Sequence, residues 1–259
     1  MSETILIISG TIILLALSAW GAVYYLTYAV RSQILGKTVW CGNGNNNSVA
    51  LTFDDGPSPD TEKLLDVLRA AKVKATFFLL GENVEKYPEI ARRIAAEGHE
   101  IGNHSFSHPI FLFCTASKTR SELAKTQEII KKVTGVKPKL MRPPCGVRSR
   151  AYFAAAQELG LQTIQWSDTG FDWKKISSEQ IARNILETVQ SDSIILLHDG
   201  DCAKINNRLA TVTAVPLILK GLEGKNLRVV PLKSLCPQSE TENAARRFFK
   251  QTTNGENNL

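Results

Sequence analysis

Two short segments carry the residues best suited to chemistry: Thr52-Phe53-Asp54-Asp55-Gly56-Pro57 and His104-Ser105-Phe106-Ser107-His108. In the first, two adjacent carboxylates close an apolar run, and a Gly-Pro turn follows. Val49, Leu51 and Phe53 would hold a strand in a core, with Asp54 and Asp55 at its carboxyl end pointing in different directions. Carboxylates so placed can divide labour, one binding a cation and one handling a proton. Taken alone, the run is a common turn. In the second segment two imidazoles stand four residues apart. On a helix both rings would share a face and grip one metal ion, with Asp55 as third ligand. Two histidines and a carboxylate with open positions form a catalytic donor set for zinc or another divalent ion. An isolated His-x-x-x-His reads as surface or capping residues, but the neighbouring Asp-Asp pair and the motifs further along favour a metal.

Such residues need elements that bring them together. From Ser48 onward, short apolar runs alternate with amphipathic stretches. The expected strands are 49–53, 75–80, 100–103, 140–142, 162–166, 194–197 and 227–231. The expected helices are 61–71, 88–97, 117–134, 149–159, 177–190 and 208–222. This alternation predicts an α/β fold with a largely parallel sheet, open or closed into a barrel. Functional residues of such folds sit at the carboxyl ends of strands. Asp54, Asp55, His104, Arg142, Asp172 and His198 all end or follow a predicted strand, so they are expected on one rim.

The chain has room for a membrane anchor and one catalytic domain of barrel size: 259 residues, with a net charge of +6. No basic run is interleaved with aromatics, which argues against a nucleic-acid partner. Five cysteines include no C-x-x-C pair, which argues against a zinc ribbon or a thioredoxin-like site. Cys41 and Cys236 flank the globular segment and could be bridged. Residues 5–30 carry no charge and exceed the roughly 20 apolar residues a bilayer requires. Trp20, Tyr24, Tyr25 and Tyr28 gather toward the end, as an interfacial belt would. Ala19-Trp20-Gly21 offers a passable signal-peptidase site, but no Lys or Arg precedes the segment, and its hydrophobicity runs on. An uncleaved single-pass anchor is therefore expected at 5–30, a linker at 31–47, the catalytic domain at 48–237 and a polar tail at 238–259. Arg31 and Lys37 follow the anchor, and by the positive-inside rule they vote for a cytoplasmic domain. The functional reading places it outside the cytoplasm.

From Ser48 to Pro231 the chain resembles the NodB-type polysaccharide deacetylases, a family of metal-dependent carbohydrate esterases. Five motifs carry the resemblance in order: the Asp-Asp and His-x-x-x-His segments, then Arg142-Pro143-Pro144-Cys145-Gly146, Asp168-Thr169-Gly170-Phe171-Asp172-Trp173 and Leu196-Leu197-His198. The resemblance implies a distorted (β/α) barrel of about seven parallel strands, here behind an N-terminal transmembrane helix. By its pattern Asp54 is the general base, and Asp55, His104 and His108 are the ligands of one divalent ion, zinc foremost, with cobalt or another divalent ion as alternatives. Arg142 orients Asp54, while Asp172 pairs with His198, the general acid. Trp173 and Leu196 wall the acetyl pocket, and the backbone N–H of Cys145 joins the oxyanion site. The family usually carries an aromatic residue where this chain has Cys145, so that subsite wall is altered.

The substrate implied is an acetylated amino-sugar polymer: peptidoglycan, a chitin-like oligosaccharide or an exopolysaccharide. Two other readings stand beside N-deacetylation. One is hydrolysis of O-acetyl esters of the xylan type, or of small amides, at the same site. The other is a non-catalytic glycan-binding domain, which the intact acid, base and ligand set disfavours.

Overall fold

The computed structural model describes residues 2–42, 47–201 and 207–236. Its frame is one sheet: β1 (Ser48–Gly56), β2 (Thr76–Leu79), β3 (Glu100–Asn103), β4 (Leu140–Met141), β5 (Gln162–Thr163), β6 (Asp168–Thr169), β7 (Ile194–His198) and β8 (Arg228–Val229). The strand order is β5-β4-β3-β2-β1-β7-β6, and β8 pairs with β1 at Ser48 and Val49. Every ladder is parallel.

Chain connectivity forces this sheet to curl. β5 and β6 end the strand order, yet only residues 164–167 join them. Seven strands laid flat at the usual spacing would hold those ends about 29 Å apart, whereas so short a link reaches at most about 19 Å. The result is the distorted barrel expected from the sequence.

Helices cover the outside: α2 (Pro59–Ala70), α3 (Gly81–Lys86), α4 (Pro88–Ala96), α5 (Ala116–Thr134), α6 (Arg150–Glu158), α7 (Ser178–Thr188), α8 (Leu209–Gly224) and the short α9 (Leu232–Leu235). Local chemistry sets their ends. Ser58 caps α2 in a capping box with Thr61, Pro59 opens the helix, and left-handed Gly135 (φ 74°) closes α5. The period-2 alternation of β1 divides the interior. Val49, Leu51 and Phe53 pack into the main core beside Leu64, Leu68, Ile185 and Ile218. Ala50 instead meets Phe78, Ile164 and Ile194 in a separate cluster. The side of Ala50, Thr52 and Asp54 is the side on which the site assembles.

The seven strands and six helices read from sequence are all present, with ends moved by up to a few residues. β6, α3 and α9 were not foreseen. β6 is two polar residues, and α3 and α9 are too short to show a helical period. The stretch expected as a linker is partly built into the sheet edge. Val39 N–H donates to Thr163 O at 2.9 Å and Gln165 N–H to Val39 O at 2.7 Å. Cys41 bridges antiparallel to Ser193. Cys41 and Cys236 are free thiols, with Cys236 Sγ at 3.8 Å from Cys41 O. The expected polar tail lies outside the described residues.

Ahead of the barrel stands α1 (Ser2–Thr27), whose side chains from Ile7 to Tyr25 are exposed wherever described. Over Ile7–Thr27 it is long and apolar enough to cross a membrane, a test that a signal sequence also passes.

One glycine seals the floor of the carboxyl rim. A Cβ on Gly200 would overlap the backbone carbonyl of Asp55. Gly200→Ala is expected to lower stability by about 1–3 kcal/mol and to depress activity with it, read by urea denaturation beside an activity assay.

Candidate active site

The site begins where β1 loses its regular pairing. The register with β2 shifts between Asp54 and Gly56, and Asp55 takes a left-handed φ of 70°. A regular strand would send the two carboxylates to opposite faces. This irregularity instead turns both toward His104. Its Nε2 lies 3.7 Å from Asp54 Oδ2 and 3.3 Å from Asp55 Oδ1. The expectation that the pair diverges is therefore corrected. Asn83 steadies the bend by donating Nδ2–H to Asp55 O at 2.7 Å.

The histidine segment follows β3 and is a loop, not the helix that would have explained its spacing. Ser105 (φ 71°) and His108 (φ 59°) are left-handed, so no helix can form there. Side chains fold the loop instead. Asn103 Oδ1 accepts from Ser105 N–H at 2.8 Å. The Glu122 carboxylate, from α5, accepts from Phe106 N–H at 2.9 Å and from Ser107 N–H at 2.8 Å. Glu122 is itself paired with Lys118 at 2.7 Å. The loop thus brings the two rings to 5.1 Å between centroids.

One donor atom from each of Asp55, His104 and His108 lies within 4.8 Å of the others. Two observations fit this nest to a divalent cation. His104 Nδ1 lies 2.7 Å from Arg142 O, an acceptor, so Nδ1 carries a hydrogen and Nε2 is the atom turned to the nest, where a cation would take the place of a proton. Asp55 Oδ1 is buried without a hydrogen-bond partner, 3.3 Å from both Nε2 atoms. A buried carboxylate oxygen left so is costly unless something positive meets it. Burial pushes the Asp55 carboxyl up, but the adjoining His104 imidazole, with His198 and His108 beside it, holds it well below the usual range. Burial, then the charge of His104, lower His108 to about 4, so its imidazole is neutral near pH 7, as a ligand must be.

Asp54 has a different partner. The fully buried Arg142 donates Nη1–H to Asp54 Oδ1 at 2.8 Å and to Thr52 Oγ1 at 2.7 Å, and Nη2–H to Gln165 O at 3.0 Å. Its guanidinium also lies over the Phe78 ring at 4.3 Å. Across the cavity, His198 ends β7, in register with Asp54. Its Nδ1 lies 2.8 Å from Asp172 Oδ1, and its backbone N–H donates to Asp172 Oδ2 at 2.8 Å. Thr211 Oγ1–H donates to the same Oδ2 at 2.8 Å. Burial pushes the His198 imidazole down, but the charge and hydrogen bond of Asp172, with Asp55 and Asp54 behind, raise it to about 9.

These groups surround a cavity of about 290 Å³. Eight of the ten sequence-predicted residues line it: Asp54, Asp55, His104, His108, Cys145, Trp173, Leu196 and His198. Arg142 and Asp172 stand behind, bonded to Asp54 and His198. Cys145 (φ 53°) forms a tight turn at the wall. Burial, then the charges of Asp55 and Asp54, push its thiol up, which disfavours the reactive thiolate. Asp168 accepts from Ser167 Oγ–H at 2.6 Å, and His99 Nδ1 accepts from Ala75 N–H at 3.1 Å. Neither lines the cavity. Sequence reasoning missed Glu122 and the lining residues Tyr28, Gly146, Trp166, Asp201 and Arg208. Gly146 and Asp201 did lie within or beside named motifs, Tyr28 was read only as part of the membrane-interface belt, and nothing local marked the others.

A parallel half-barrel with a cation nest between an Arg-bound carboxylate and an Asp-bound imidazole defines a hydrolase. The chain belongs to the polysaccharide deacetylase family. The family's sequence profile matches residues 42–164. A peptidoglycan-N-acetylglucosamine deacetylase of Bacillus cereus is 41% identical over 200 residues, spanning 77% of this chain and 72% of that protein. A chitooligosaccharide deacetylase of Bradyrhizobium is 34% identical over 197 residues, spanning 73% and 90%. A crystal structure of the Bc1960 peptidoglycan N-acetylglucosamine deacetylase superposes with a TM-score of 0.73 at 40% identity, spanning 78% and 94%.

Glu122→Gln keeps the side chain's shape but weakens its hold on the histidine loop. It is expected to weaken divalent-metal binding about 10–100-fold, measured by titration against a competing chelator. His198 keeps its proton through neutral pH and loses it as pH rises through about 9. Removing the charge that raises it, by Asp172→Asn, should move the falling alkaline limb of the kcat profile to lower pH by at least about one unit.

Proposed function

We propose that the chain removes N-acetyl groups from N-acetylglucosamine-containing polysaccharide, releasing acetate. The observation that carries this reading is the meeting of three systems in one cavity: the cation nest, the Asp54–Arg142 pair and the His198–Asp172 pair. The names of the relatives support the choice of substrate.

Asp55, His104 and His108 would hold the ion, and zinc suits a donor set of two imidazoles and one carboxylate. Bound there, a divalent ion polarises an acetyl carbonyl and makes water more acidic. Asp54 is the base that takes the water proton. Arg142 bonds Asp54 Oδ1 and so fixes the carboxylate, leaving Oδ2 toward the cavity. His198 holds a proton on Nε2 for the leaving amine, because Asp172 occupies Nδ1. The Cys145 N–H is a donor for the developing oxyanion. Leu196 and Trp173 bound the space for the acetyl methyl.

The substrate polymer lies outside the cytoplasm, so the domain works there, carried by the apolar N-terminal helix as an anchor. A second reading, hydrolysis of O-acetyl esters of the xylan type, draws on the small Cys145 side chain at the cavity wall. Parallel rates on acetylxylan and a chitin oligomer separate the two.

Asp55→Asn should lower bound metal and activity together. Asp54→Asn should retain metal while losing about 10²–10⁴-fold in kcat. Elemental analysis beside acetate release measures both, and metal loss from Asp54→Asn would show that the carboxylate roles are reversed. No acetate from any N-acetylglucosamine polymer, with zinc or cobalt supplied, would overturn the proposed activity.

A further inference from the structure

The wall of the cavity includes a residue from far outside the barrel sequence. Tyr28 follows directly on α1, yet it lines the same cavity as Asp54, His108, Cys145 and His198. Tyr28 remains 44% exposed, and its ring stacks on Tyr24 at a centroid distance of 5.3 Å.

The segment around Tyr28 is held in place rather than resting there. Arg148 N–H donates to Thr27 O at 2.9 Å, and Arg148 Nη2–H donates to Ala29 O at 2.7 Å. Nη1 reaches Val30 O at 3.5 Å. Arg148 is fully buried, and among the described residues no carboxylate forms an ion pair with it. Backbone carbonyls stand in for a carboxylate partner of this buried guanidinium, and releasing the segment would leave its donors unsatisfied. A second contact lies further along. Gly36 packs so closely on the Phe153 ring of α6 that a Cβ would overlap it. Arg148 stands three residues after Cys145, so one short stretch forms the cavity wall and fixes the Tyr28 segment.

Within the cavity the ring has a suitable place. At the turn where Cys145 stands, the wall is a small side chain. Tyr28 brings a flat apolar face and a hydroxyl, the combination that covers a pyranose ring and bonds its hydroxyl groups. Trp166 and Trp173 line the same cavity.

We propose that Tyr28 is a substrate-positioning residue, delivered by the segment that leaves α1 and clamped by Arg148, which binds the sugar ring of the acetylated amino-sugar chain. This rests on the deacetylase reading of the same site. Tyr28 lies beyond the Ala19-Trp20-Gly21 position, so the wall is complete whether or not the apolar helix is retained.

The test uses the full chain in detergent, metal-restored, with a chitin tetramer as probe. Tyr28→Ala should raise the KM for the tetramer about tenfold while kcat changes less than threefold, and Tyr28→Phe should recover most of that KM. Tetramer affinity by isothermal titration should weaken in parallel for Tyr28→Ala. A KM within twofold of the unsubstituted enzyme would overturn the proposal. So would a fall in kcat and thermal midpoint with KM unchanged, which marks a purely structural role. If the unsubstituted enzyme releases no acetate from the tetramer, the deacetylase reading loses the chitin-like substrate. The titration then decides on Tyr28 alone: equal binding by Tyr28→Ala overturns its role, and weaker binding supports it.

Discussion

A single buried carboxylate oxygen governs the architecture of the site. Asp55 Oδ1 has no hydrogen-bond donor and faces the Nε2 atoms of two imidazoles at 3.3 Å each. Such an atom is tolerable only if the fold holds its surroundings rigid and a positive centre meets it. Much of the nearby structure serves that demand. The bulge at the end of β1 turns Asp55 inward, Asn83 fixes its carbonyl, and Gly200 leaves room behind it. Glu122 and Asn103 fold the histidine loop around it.

The other charges follow the same logic of pairing. Arg142 is buried only because Asp54, Thr52 and the Gln165 carbonyl share its donors. Asp172 is buried only because His198 and Thr211 share its oxygens. Asp54 and His198 line one cavity of about 290 Å³, each with its own buried partner of opposite charge. One member of each pair, Asp54 on β1 and His198 on β7, stands in register on adjacent strands, which sets the distance between the pairs.

Family membership and site geometry are in agreement, and the departures show where this chain differs. Cys145 puts a small side chain in the cavity wall, and Tyr28 comes from a separate segment to line the same cavity. The residues after α1 behave less like a tether than like an extra sheet edge, through Val39 and Cys41. The apolar helix and the catalytic rim are thereby joined through a short, well-bonded stretch of chain.

The sequence by itself determined the alternation of strands and helices, because period-2 and period-3.6 apolar patterns are local. It also determined which residue types gather on the rim, since the ends of parallel strands share one edge. The tertiary structure alone decided how those residues meet. The Asp54–Asp55 pair converges through a positive φ that no alternation rule foresees. His104 and His108 approach in a loop whose donors are satisfied by Glu122, sixteen residues from Phe106 in the chain. Tyr28 reaches the cavity through Arg148, 119 residues beyond Ala29. Hydrogen bonds and packing between distant segments leave no periodic mark in a sequence, because their partners are chosen by the path of the folded chain.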